Sequence, residues 1–327
     1  MKKIVKVLPA VWLLLGMLTA GAGFCGYRLL LNDPSDTQQQ THRILEPAET
    51  DEQRNKKNKQ ATFDPNAITP VTPGDYAEAQ LHYETIVDQY GVGAIYIPSA
   101  ELKTKILAGL SNQNLMVGVG TYRENQKLGA GNYAVFAHNL VQGGGALGRL
   151  SNAAMDSTIY ATDFSRIYEY KVILNQVVDQ TRGDLLDEPT DSPKPVITLI
   201  RCEGGLNTTK RAAVQGEFIG MYAAKYADKS VQEGLGIIHQ VTPDATERAA
   251  ENGSEEQETS TKTTADLNQS SKQPLNRTRY SWLQRGCIRM FQVISNDDVF
   301  LVGVITYALV MLYLTAINIK TTKNGGS

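Results

Sequence analysis

The chain has 327 residues, of which 42% are hydrophobic and 20% charged, and its formal net charge at pH 7 is -2. This balance excludes the generally basic surface that binds nucleic acid. The three cysteines, Cys25, Cys202 and Cys287, are too few and too widely spaced for a disulfide framework or a zinc clip. Apolar residues concentrate at both ends of the chain, so each segment is considered separately.

An uncharged run, Val7–Tyr27, follows a cluster of three lysines near the N-terminus. At about 1.5 Å per residue, a helix of this length crosses the roughly 30 Å hydrocarbon layer of a membrane. A cleaved signal is the alternative, because Ala20-Gly21-Ala22 resembles a cleavage site, but the run continues to Phe24. We therefore predict an uncleaved anchor in residues 1–31, with its basic tip in the cytoplasm.

Two polar segments separate the chain ends from the middle. Residues 32–75 contain several prolines and little apolar periodicity, and this predicts a stalk. Residues 244–279 are rich in Glu, Ser, Thr, Asn and Lys, and this predicts a second, disordered tether.

A second uncharged run, Val299–Ile319, shows no polar stripe, so residues 299–319 are predicted to span the membrane. The basic segment 280–298 precedes it and favours either an interfacial amphipathic helix or a simple basic collar. Residues 320–327 would be a cytoplasmic tail. With both spans in place, everything between them lies on the outer face of the cell membrane.

Residues 76–243 have the length of one domain. Their apolar segments are short, bounded by Gly, Asn, Asp or Pro, and rich in Thr, Val, Ile and Tyr with strand-like alternation. The pattern predicts an all-β sandwich or a closed barrel and does not choose between them. The predicted strands are Val92–Ile97, Leu115–Val119, Tyr133–Ala137, Thr158–Ala161, Ile167–Asn175, Val196–Ile200 and Ala212–Gly216, and helix is indicated at Tyr76–Gln89 and Ala146–Asn152.

Three polar residues at strand ends are candidates for chemistry. Cys202 ends an apolar strand and is the one thiol in the predicted domain 76–243, while His138 ends another strand and opens a glycine-rich loop. Arg211 follows Lys210, and fixed positive charge favours the reactive thiolate. A small buried hydrophobe is the competing interpretation of Cys202.

Other sites are not indicated. The remaining histidines, His42, His82 and His239, are expected at the surface. The glycine clusters lack the spacing of nucleotide loops, and no His, Asp or Glu group has the spacing of a metal site, so no cofactor is predicted.

The candidate residues lie in motifs that resemble those of sortases, the membrane-anchored cysteine transpeptidases of Gram-positive bacteria. Thr198-Leu199-Ile200-Arg201-Cys202 resembles the family's TLxTC strand. The strand from Gly131 to His138 and the strand opening at Arg211 resemble those that carry the family's histidine and arginine. Gly93-Ala-Ile-Tyr-Ile-Pro98 and the stretch from Leu110 to Gly120 resemble its opening motif. The motifs occur in the family's order from about 90 to 220.

The resemblance implies an eight-stranded sortase β-barrel and a cysteine protease-like transpeptidation cycle. Cys202 would attack between Thr and Gly of an LPxTG-like sorting signal on a surface protein and form a thioacyl enzyme. Arg211 would stabilise the oxyanion, and His138 would protonate the leaving amine. The acyl group would pass to a peptidoglycan-precursor amine, as on lipid II, or to a pilin lysine in class C-like relatives.

Several features bear on the choice within the family. The central motifs favour a class A-like enzyme, whereas the second span and Asp64-Pro65 are features of the pilin-polymerising class C-like group. Asn66 stands where that group's lid has an aromatic residue, so no lid is predicted. Arg201 replaces a threonine, and it could add charge beside Cys202 or compete with Arg211 for the oxyanion. A non-catalytic scaffold on two tethers is the alternative from another class.

Overall fold

Eight strands of the described chain close into a barrel. The computed structural model describes residues 2–31, 42–140, 144–189, 194–204, 208–238 and 280–323. The barrel order is β2-β3-β4-β5-β8-β9-β7-β6, with β6 pairing back to β2, and a short pair β1-β10 lies outside it. The strands are β1 His42–Arg43, β2 Gly91–Ile97, β3 Leu102–Leu107, β4 Val119–Thr121, β5 Asn132–Ala137, β6 Thr158–Thr162, β7 Arg166–Asp179, β8 Val196–Cys202, β9 Lys210–Ala223 and β10 Ile237–Ile238.

The barrel closes around alternating apolar side chains. Residues of β7 such as Tyr168, Tyr170 and Val172 point inward, as the sequence alternation predicted. They meet Ile197 and Leu199 of β8 in one core cluster. The structure thus confirms an all-β barrel, and closure removes the exposed sheet edges that a sandwich would leave.

The helices lie outside the barrel wall and are partly placed where the sequence indicated them. The predicted helix over Tyr76–Gln89 is two helices that meet at His82. The predicted strand Leu115–Val119 was wrong for most of its length, because the Ser111 side chain caps a helix there and the strand begins only at Val119. The helices are α1 Lys2–Leu31, α2 Pro47–Asn58, α3 Pro73–Leu81, α4 Tyr83–Tyr90, α5 Asn112–Val117, α6 Lys229–Leu235, α7 Trp282–Ile294 and α8 Asp297–Lys323.

The described part of the segment proposed as a stalk packs against the barrel. Prolines open α2 and α3 at the helix position that tolerates them, so these residues start helices. Lys57 Nζ donates to the Gly91 carbonyl over 2.5 Å, and the Leu110 amide donates to the Thr62 carbonyl over 2.7 Å. Residues 32–41, and the whole of the tether proposed at 244–279, lie outside the described residues.

Two helices are long and apolar enough to cross a bilayer, Val7–Leu31 within α1 and Asp297–Lys320 within α8. Trp12 of α1 stacks on Tyr307 of α8 with ring centroids 5.5 Å apart, and the Tyr307 hydroxyl donates to the Trp12 carbonyl over 3.1 Å. The two helices are therefore paired by specific contacts along their apolar length.

A second core joins the end of α1 to the outside of the barrel. Leu30 of α1, Tyr76 and Ala77 of α3, and Ile288 of α7 belong to one buried cluster. Helix α7 is amphipathic, as the basic segment suggested: Ile288 is fully buried while Trp282 remains exposed. The end of α1 is thus buried against the folded domain.

We expect a side chain at Gly26 to push α7 away from α1. A Cβ there would lie 2.2 Å from the Cys287 carbonyl oxygen, so Gly26→Val should cost about 1–3 kcal/mol of folding stability through overpacking. Gly21→Val is the matched control, because a Cβ at Gly21 meets nothing within 4 Å. Thermal unfolding of the full chain in detergent would measure the difference, and equal stability of the two variants would contradict the close crossing.

Candidate active site

Three strand ends bring His138, Cys202 and Arg211 together. Strands β8 and β9 are antiparallel, and Cys202 is the register partner of Arg211. Strands β5 and β8 are parallel, and Ala137 is the register partner of Arg201. The next residues, His138 and Cys202, therefore leave the sheet side by side. All three predicted site residues line one cavity of about 660 Å³.

His138 is held by a side chain that the sequence analysis did not identify. Its Nε2 lies 2.9 Å from Asn112 Oδ1, at the start of α5. The same Oδ1 accepts the Thr69 amide over 3.2 Å, so the oxygen faces this side and the imidazole donates Nε2–H to it. Burial lowers the pKa of His138 to about 4, so the ring is neutral at pH 7 and Nδ1 carries the lone pair.

Arg211 is anchored by acceptors around the rim of the cavity. Its Nη1 donates to the carbonyls of Thr208 and Lys210 over 2.8 and 2.9 Å, and its Nη2 donates to Gln180 Oε1 over 3.0 Å. A guanidinium has five N–H donors. The anchored group therefore retains donors for an oxygen bound in the cavity.

Arg201 does not face the cavity. Side chains alternate along a strand, and Arg201 shares the barrel-facing side of β8 with Ile197 and Leu199, where it is only 6% exposed. Its guanidinium lies 2.7 Å from Glu203 Oε2, on the face opposite to Cys202. The expectation that Arg201 could compete with Arg211 for an oxyanion is therefore wrong.

The segment containing Asp64-Pro65 leads directly into the wall of the cavity. The Asp64 side chain caps a turn over Pro65–Ala67, and residues 68–73 then line the cavity. Thr69 is bound twice to Asn112, since Asn112 Nδ2 also donates to Thr69 Oγ1 over 2.6 Å. The sequence indicated an ordinary linker here, because the hydrogen bonds that seat it come from a residue distant in the chain.

The opposite wall of the cavity is formed by residues from the two ends of the chain. Tyr27, Leu30 and Leu31, at the end of α1, contribute to it together with Phe291 of α7 and Ser295. The cavity is therefore polar where the three strand ends meet and apolar where the end of α1 contacts the domain.

The other residues considered from the sequence lie elsewhere. His82 contacts Glu78 at the exposed surface, over 2.9 Å. Lys210 is exposed, with its Nζ 3.8 Å from Asp179. His42 is in β1, and His239 is outside the described residues. Within the described ranges, no group of three or more His, Cys, Asp or Glu side chains could hold a metal ion.

We expect Asn112→Asp to raise the pKa of His138 from about 4 toward its ordinary value. A carboxylate in place of the amide would favour the charged imidazolium against the cost of burial. NMR titration of labelled histidine would measure the change. The control is Asn58→Asp, whose amide contacts the Glu124 carbonyl instead. An unchanged His138 titration in Asn112→Asp would contradict the contact.

Comparison with known proteins finds one family. A model of the sortase domain matches residues 95–219. The chain is 30% identical to sortase A of Bacillus anthracis over 52% of this chain and 77% of that relative. It is 28% identical to sortase A of Listeria monocytogenes over 54% of this chain and 77% of that relative. A solved structure of the Listeria monocytogenes enzyme aligns over 45% of this chain and 97% of its own length, at 28% identity and a TM-score of 0.40. This chain therefore belongs to the sortase family of cysteine transpeptidases.

Proposed function

We propose that the chain is a membrane-anchored sortase that cleaves LPxTG-like sorting signals between Thr and Gly and transfers the protein to a cell-wall precursor amine. One observation carries the proposal: the strand register places Cys202 beside Arg211, and His138 ends the neighbouring strand at the same cavity. A nucleophile, a proton carrier and a fixed cation within one cavity are the groups that acyl transfer needs.

A neutral His138 can accept the thiol proton of Cys202 and pass it on during the transpeptidation cycle. As Cys202 attacks the threonine carbonyl, the thiol proton passes to the imidazole. Burial disfavours the resulting imidazolium, as the lowered pKa of His138 indicates, so it releases the proton readily to the leaving glycine amine. In the second half, the imidazole accepts a proton from the incoming amine and returns it to the cysteine sulfur.

Arg211 is suited to the oxyanion of each tetrahedral intermediate. Three protein acceptors already fix its guanidinium, so little reorganisation is needed when negative charge develops on the carbonyl oxygen. An arginine guanidinium stays positively charged throughout the physiological pH range, so it can stabilise the oxyanion without any proton transfer.

The apolar wall of the cavity supports a site that works at the membrane surface. Tyr27 and Leu30 close the cavity at the point where α1 enters the domain. With the domain on the outer face, surface proteins and lipid-linked peptidoglycan precursors would both be within reach. A class C-like enzyme that uses a pilin lysine is the alternative, favoured by the second span and by residues 68–73 in the cavity wall.

We expect the full chain in detergent to form a covalent adduct with a peptide containing Leu-Pro-X-Thr-Gly. Mass spectrometry should place the acyl group on Cys202, and Cys202→Ala should abolish both the adduct and transpeptidation. Cys25→Ala and Cys287→Ala are matched controls that remove the other thiols and should retain the adduct. An active Cys202→Ala protein would contradict the proposal and favour a different nucleophile or a scaffold role.

The thioacyl adduct can also be used to identify the amine that accepts the acyl group. Triglycine and a lysine-containing pilin-like peptide would be added separately to the thioacyl enzyme. Faster release by the N-terminal amine would support the cell-wall reaction, and faster release by the lysine amine would support pilin polymerisation.

A further inference from the structure

Arg201 is a buried arginine one residue before the nucleophile, at a position where the family's motif has threonine. The side chain is 6% exposed and faces the barrel interior. Burying a guanidinium is costly unless its charge and its donors are matched. Contacts at its two terminal nitrogens match part of this need, whereas the buried Nε has no hydrogen-bond partner among the described residues.

These contacts lie on both sides of Cys202. Arg201 Nη1 donates to the carbonyl oxygen of Cys202 over 3.0 Å. Its Nη2 is 2.7 Å from Glu203 Oε2, close enough for an ion pair although not aligned as a hydrogen bond. Nη2 also donates to Ser151 Oγ over 3.4 Å, which ties the pair to the turn over Leu150–Asn152.

The geometry follows from the two-residue period of a strand. Arg201 and Glu203 fall on one face, so their side chains meet there while Cys202 between them points to the opposite face. The Glu203 amide donates to the Lys210 carbonyl over 2.9 Å and continues the pairing of β8 with β9 past the nucleophile. The residues before and after Cys202 are thus bound to each other and to the neighbouring strand.

We propose that Arg201 and Glu203 form a clamp that straddles Cys202 and positions the nucleophile against His138 and Arg211. The inference rests on the proposed function. Arg201 and Glu203 act as positioning residues, since neither lines the cavity. The Glu203 carboxylate also neutralises the Arg201 guanidinium, so the pair adds no net charge on the face of the strand opposite to the Cys202 thiol.

Because Arg201 and Glu203 carry opposite charges, variants of the two residues can distinguish a loss of nucleophile positioning from a general loss of structure. Arg201→Thr leaves the Glu203 carboxylate unpaired behind Cys202, which disfavours the thiolate. Glu203→Gln keeps the size of the side chain but leaves the Arg201 cation unbalanced, which favours the thiolate. If the two residues position the nucleophile, both variants lose transpeptidation, while their thiol reactivities change in opposite directions.

The test uses the full chain in detergent at one fixed pH, with two assays. Alkylation of Cys202 by iodoacetamide, followed by peptide mass mapping, needs no substrate; we expect it to slow about threefold in Arg201→Thr and to accelerate about threefold in Glu203→Gln. Thioacyl formation with the Leu-Pro-X-Thr-Gly peptide should lose about 10- to 100-fold in kcat in both variants, at nearly constant KM.

Two further variants control for folding and for loss of an ordinary ion pair. Arg201→Lys retains the charge with one nitrogen and should recover part of kcat. Lys194→Ala removes an exposed pair with Glu217, 2.5 Å apart, at the other end of the same two strands, and should behave as the wild type. Thermal unfolding of every variant would show whether the barrel is retained.

The outcomes separate the clamp from the proposed function. Wild-type kcat in Arg201→Thr, or alkylation rates that change in the same direction in both variants, would overturn the clamp. If wild-type protein forms no peptide adduct, the proposed function fails, while opposite alkylation shifts would still support the clamp as a determinant of thiol reactivity.

Discussion

The register between β8 and β9 is the constraint on which the site depends. It pairs Cys202 with Arg211, and the parallel pairing of β5 with β8 adds His138 at the same edge. Because side chains alternate with a period of two, a slip of one residue would turn Cys202 into the barrel and bring Arg201 to the cavity. The alternation of apolar residues in these strands therefore also determines which side chains face the cavity. Barrel closure fixes this register from both sides.

Sequence patterns were sufficient for features that depend on local order. Strand alternation predicted most of the barrel, and the strand ends predicted three candidate residues that the structure brings to one cavity. Uncharged length predicted both candidate spans. These features depend on residues that are close together in the sequence. Choosing a barrel over a sandwich required the family resemblance.

Contacts between distant parts of the chain could not be predicted in this way. Asn112 reaches His138 only because a capped helix replaces the strand expected at Leu115–Val119. The wall formed by residues 68–73 depends on the bonds between Thr69 and that same Asn112. The face taken by Arg201 was readable from alternation, but its pairing with Glu203 and Ser151 required the folded strands.

The second core limits where the chain can be truncated without disturbing the fold. Leu30 and Ile288 come from helices at opposite ends of the chain, yet both are buried against α3 beside the site. A fragment cut after α1 and before α7 would lose the two helices that cover α3. It would expose Tyr76 and Ala77 to water and open one wall of the cavity at the candidate active site. Helices α1 and α7, from opposite ends of the chain, are thus part of the folded domain that carries the candidate active site.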